Sequence, residues 1–141
     1  MDAVVSTKFS TLCAFLALIV ACADKESEVT NNIERESVEW LFEQVAESTD
    51  WNMSGPMTWG YFFYAENKAD LEPVREKLTR EGYSFVGYLE PGERNDEPGY
   101  FLHLERNEVH SIDTLDQRNA QLTAEGERFG VRYDGMDVGP V

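Results

Sequence analysis

The chain is short of cysteine, histidine and bases, and each shortage removes a class of function. Its two cysteines, Cys13 and Cys22, both lie near the start, so the rest has no thiol for a disulfide framework or a thiolate metal site. Its two histidines, His103 and His110, fall below the about three or four matched ligands that a metal ion wants, even with Glu108 counted. We expect His103, which alternates with Leu102 and Leu104, to pack on a sheet, and His110 to be exposed beside a helix start. Lysine and arginine number 12 against 27 acids, a formal charge of −15. That excess repels nucleic acid and anionic lipid heads and favours basic protein surfaces. The acidic loop containing Glu93, Asp96 and Glu97 lacks the spacing and central glycine of a calcium loop. No Ser-His-Asp or Cys-His arrangement is visible, and neither repeats nor low-complexity segments occur, so we expect no catalysis, metal or cofactor.

Long apolar runs are also scarce. The one at residues 12–20 follows Lys8 and falls well short of the roughly 20 residues that span a bilayer, but it suits the core of an export signal. It closes on Ile19-Val20-Ala21-Cys22, which resembles the lipobox of bacterial lipoproteins. The resemblance implies cleavage before Cys22 and lipidation of its thiol; an ordinary secretory signal cut near Ala21, or an uncleaved helix, are the alternatives. Cleavage would leave about 120 residues, enough for one domain that buries roughly two-thirds of its unfolded surface. The expected division is a signal at 1–21, lipidated Cys22 with a flexible tether over 22–31, and a domain over 32–141. The polar tether reaches up to about 30 Å. The expected location is the bacterial cell envelope, facing the extracytoplasmic space and held to the membrane by the lipid on Cys22.

Beyond the tether, Ile33, Val38, Leu41, Phe42 and Val45 fall mostly at helical spacings and predict an amphipathic helix over 32–48, docked by Trp40 and Trp51. Residues 58–65, Thr-Trp-Gly-Tyr-Phe-Phe-Tyr-Ala, have the composition of a strand buried on both faces. Asp70 is placed to cap a helix with Leu71, Val74 and Leu78 on one face, Pro73 in its first turn and Gly82 at its end. Strands at 83–89 and 100–106, joined by a turn-rich loop, predict an antiparallel hairpin. Ser111 caps a longer helix with Leu115, Leu122 and Phe129 on one stripe, Gly130 stops it, and 131–134 form a short last strand. Gly126 inside that helix costs about 1 kcal/mol against alanine, so either the helix is weak there or a neighbour comes close.

This order is the ferredoxin-like split pattern: α+β, a βαββαβ sandwich with a four-stranded antiparallel sheet, two helices on one face and an extra N-terminal helix. Alternation on the aromatic strand sends some rings into the core and others to the opposite face, where the N-terminal helix or a partner could cover them. The charge argues against stacking on RNA. We place the candidate protein-binding surface on Trp59, Tyr61, Phe63, Tyr133 and Asp134. Asp134-Gly135 reads as a turn, with a general acid or base as the alternative.

The end of the second unit carries a recognisable set of residues. Leu115-Asp116, Leu122 and Glu127-Arg128-Phe129-Gly130-Val131-Arg132-Tyr133-Asp134-Gly135 resemble the RraB family, regulators of ribonuclease E activity, as does the aromatic strand followed by a helix and Gly82-Tyr83. The resemblance covers about residues 33–138 and implies a ferredoxin-like fold and an acidic, non-catalytic module that binds a protein. An export signal would carry such a module away from a cytoplasmic nuclease. The expected partner is therefore another protein with a basic surface, and regulation of the nuclease from the cytoplasmic side is the alternative. A small hydrolase using His103 or Asp134 is the third reading.

Overall fold

A strand with large rings on both faces needs cover on both sides, and the aromatic segment accordingly becomes the interior strand of the sheet. The computed structural model describes residues 31–141; Cys13, Cys22 and the rest of the expected signal and tether up to residue 30 lie outside that range. The elements run α1 (Arg35–Ser48), β1 (Met57–Ala65), α2 (Glu72–Arg80), β2 (Ser84–Leu89), β3 (Tyr100–Glu108), α3 (Ile112–Phe129) and β4 (Arg132–Pro140). The strands pair antiparallel in the order β2-β3-β1-β4. This is a ferredoxin-like α+β fold with three helices.

Period-two alternation sorts β1. Trp59, Tyr61 and Phe63 join Leu102 and Leu104 of β3 and Tyr133 of β4 in one core, which Val38, Val74, Leu78, Leu115 and Leu122 close from the helices. Each large side chain fully removed from water there contributes roughly 1.5–3 kcal/mol. All three helices therefore share one face. α1 reaches the core through Val38 and Val45 and stacks Phe42 on Trp59, with centroids 6.1 Å apart. It does not cover the opposite face, nor is it docked by the two tryptophans: Trp40 is 61% exposed and Trp51, beyond its C-terminal end, 38%. The chain enters through two asparagines rather than a free tether end. Asn31 bonds Asp116 of α3, and Asn32 donates to the Tyr133 carbonyl at 3.1 Å.

Helix ends follow local chemistry with one exception. Ser111 and Thr114 form a reciprocal capping box on α3. Gly82 and Gly130 take positive φ, and Tyr83 and Val131 donate back to Leu78 and Gly126, so both helices stop in Schellman turns. Asp70, however, caps nothing. It lies in a 3-10 turn over Lys68–Leu71 that buries Leu71 and leads into α2 at Glu72, because anchoring Leu71 in the core outweighs a single exposed cap bond.

The last strand is much longer than the sequence suggests. β4 pairs with β1 over all but its last residue, from Met57 opposite Pro140 to Tyr64 opposite Arg132, and the register slips between Phe62 and Phe63. Asp134 is the extra residue, and Gly135 takes φ 133° beside it. The Asp-Gly pair is thus a β-bulge and not a turn. A second slip, between Phe85 and Gly87, bends the outer strand β2.

Gly126 faces β4 at very short range. A Cβ there would stand 2.8 Å from the Val131 carbonyl oxygen and 3.1 Å from the Tyr133 nitrogen. Close approach, not helix weakness, explains the glycine. Gly126→Ala should therefore destabilise by about 1–3 kcal/mol through overpacking despite alanine's better helix propensity, as read by chemical denaturation; a stabilised variant would refute the packing account.

Candidate functional site

Four of the five residues expected on a binding surface are core. Trp59, Tyr61, Phe63 and Tyr133 are buried beneath the helices, since their strand parity points them to the face on which all three helices pack. Tyr133 also donates to Asn119 of α3 at 2.7 Å. Asp134 alone reaches the other face, and its carboxylate is held by Arg94 at 3.2 Å and Arg132 at 3.0 Å. Cys22 lies outside the described residues.

The face turned away from the helices is not a bare aromatic platform. Phe62 is only 3% exposed there, because the His103 ring stacks on it at 4.4 Å and the Arg94 guanidinium lies over it at 3.7 Å. Arg94 comes from the loop between β2 and β3. The same loop sends Glu97 to Arg132, at 2.7 and 2.9 Å, while Arg132 covers the Tyr64 ring. Bulge, carboxylate and two arginines thus fold the loop over the sheet. His103 is packed on the sheet as expected, beside Gly60, where a Cβ would collide with the Asp137 carboxylate.

A second cluster forms where β3 runs into α3. Glu108 accepts from the Tyr61 hydroxyl at 2.7 Å and from Arg118 at 2.5 and 3.0 Å, and His110 Nε2 lies 3.3 Å away. The Tyr61 proton is spent on Glu108, so His110 Nε2, 3.1 Å from the same oxygen, is placed to donate to it. His110 is only 5% exposed, contrary to the exposed position expected from sequence, because this network and the edge of the Trp59 ring, 5.3 Å away, enclose it. Burial pushes the Glu108 carboxyl up, but the His110, Arg118 and Tyr61 hydrogen bonds outweigh it and hold the group at about 2. Burial, aided by Glu108, pushes the Tyr61 hydroxyl far up. Among the described residues no three histidine, cysteine or acidic side chains converge as metal ligands. The cluster is a mutually satisfied set of charges that ties β1 and β3 to α3.

What the surface presents is acid. All described lysines and arginines except Arg80 stand within 4.0 Å of a carboxylate. Along the outside of α1, Glu36, Trp40, Glu43 and Glu47 fall three and four residues apart and are exposed together. Between α1 and β4 lies an open cleft of about 630 Å³, lined by apolar atoms of Ile33, Trp40, Leu41 and Met136 and ending at Arg94 and Asp134. Reading α1 only for its buried stripe missed this outer one; the signal available was a tryptophan flanked by glutamates at helical spacing.

A family model described as "Regulator of ribonuclease activity B" matches residues 35–138, which takes in every helix and nearly all of the sheet. No curated protein matches the chain.

Glu108 gives the network a pH signature. Its folded pKa lies below the unfolded value, so its contribution is complete above about pH 4.5 and is lost as pH falls toward about 2. Glu108→Gln should lower stability at neutral pH, by about 3–5 kcal/mol with Arg118 left uncompensated, and should flatten the pH dependence of the denaturation midpoint between about pH 5 and 2. An unchanged acid limb would mean that other carboxylates control it.

Proposed function

The chain belongs to the RraB family, the regulators of ribonuclease activity B, and from that premise we propose that it is a non-catalytic regulator that works by binding another protein through its acidic surface. The observation that carries this reading is the distribution of charge. Every described base but Arg80 stands in an ion pair, so the excess of acids is left without a counter-charge. Such a surface speeds encounter with a basic partner, while shape decides which partner is kept. Most groups with chemical potential are already committed. Glu108, Tyr61 and His110 hold one another and Asp134 is held between two arginines, while His103 lies flat on Phe62 with its Nε2 buried and without a hydrogen-bond partner.

We further propose that the domain is exported and anchored by lipid on Cys22, which closes the apolar run at 12–20. Its partner is then an extracytoplasmic protein with a basic surface. The family description supports a second reading, in which the chain faces the cytoplasm and acts on a ribonuclease itself.

Two measurements separate these readings. The mass of the N-terminus should correspond to an acylated Cys22; an intact Met1 would move the domain to the cytoplasmic reading, and inhibition of the purified nuclease would then be the expected activity. Capture of the chain from membranes should recover one specific protein at low salt and release it as ionic strength rises. Repeated recovery of bulk envelope proteins alone would sink the binding reading.

A further inference from the structure

We propose that the cleft between α1 and β4 is a docking groove for a basic, amphipathic segment of a partner protein, with Trp40 as its apolar anchor point. The proposal rests on the protein-binding reading above and names the surface and the chemistry that reading leaves open.

Trp40 is the largest side chain left exposed on α1, although the helix has a well-filled buried stripe of its own. A large ring in water beside a recess is the kind of side chain that dominates binding energy once a partner covers it. It lines the recess together with Ile33, Leu41 and Met136, so an apolar side chain entering there would meet apolar atoms.

The rim decides what surrounds that apolar side chain. Glu34 and Glu36 line the cleft, and Glu43 and Glu47 continue the exposed stripe along α1. The cations nearby are already engaged. Arg94 is bound to Asp134 and lies over Phe62, and Arg35 pairs with Glu39, Asp113 and Asp116. A segment bearing lysine or arginine on one side and a bulky apolar group on the other complements this arrangement in both respects. The chain's own segment at 23–30, whose Asp24, Glu26 and Glu28 outnumber Lys25, and a second copy carrying a charge of −15, would both be repelled.

The test uses the full chain in mild detergent and a labelled synthetic amphipathic peptide with arginines on one face and leucines on the other. Controls are a scrambled peptide of equal composition and an acidic counterpart. Affinity is read by anisotropy over a salt series. The amphipathic peptide should bind more tightly than both controls. Trp40→Ala should weaken it by about tenfold or more, and Glu36→Gln with Glu43→Gln should weaken it and reduce its salt dependence. The exposed pair Glu66→Gln with Glu76→Gln, away from the cleft, should leave it nearly unchanged. Equal binding of the scrambled peptide would overturn the groove, as would indifference to Trp40→Ala or an equal loss in the remote pair. Self-association abolished by Trp40→Ala, without peptide binding, would overturn it in favour of a second copy. A specific partner captured from membranes together with an unaffected Trp40→Ala variant would remove the groove and leave the regulator reading standing.

Discussion

Rings on both faces of β1 set the terms for everything around them. A central strand bearing Trp59, Tyr61 and Phe63 on one side and Phe62 and Tyr64 on the other exposes too much apolar surface for a one-sided sandwich. The two faces are closed by different physics. Three helices cover the first with aliphatic side chains, so its stability comes from removing surface from water. Guanidinium groups cover the second, so its closure depends on cation–π contact and on the carboxylates that hold those cations in place.

That second closure explains how one glycine far along the chain matters to the sheet. Positive φ at Gly135 accommodates the bulge, and the bulge presents the Asp134 carboxylate to the open side. Asp134 holds Arg94 and Arg132, and these bring the β2–β3 loop down onto Phe62 and Tyr64. Across the described residues every base but Arg80 stands beside a carboxylate, and because acids outnumber bases many carboxylates are left without a counter-charge. The carboxylates that remain outside are therefore the part of the charge pattern open to recognition.

Much of the fold was legible because its signals are local. Aromatic alternation, Ser111 before a helical stripe, and Gly82 and Gly130 at its stops each specify their own segment, and together they leave few topologies. What the sequence could not convey depends on distant partners. Alternation divides β1 into two sets of rings but does not say which set meets the helices, so the expectation of a binding surface at Trp59, Tyr61 and Phe63 falls on rings that the structure buries. Asp-Gly has the same local chemistry in a turn and in a bulge, and only pairing with β1 decides between them. His110 is enclosed by Tyr61 and Trp59, both remote from it in the chain. The family resemblance was readable in the Tyr133-Asp134-Gly135 end, whereas the cleft beside Trp40 was not, because it exists only once α1 lies against β4.

The outer strand β2 shows a further side of the acid excess. It carries no charged residue, leaves Phe85 and Val86 exposed, and offers one unpaired edge, interrupted by its bulge. Such an edge is a template on which another chain can add a strand, and bulges are one device that blunts it. Here the second device is colloidal, since mutual repulsion between strongly anionic molecules keeps two such edges from meeting. Repulsion between copies and the proposed recognition of a basic partner would draw on the same carboxylates, and acidification or neutralising cations would weaken both together.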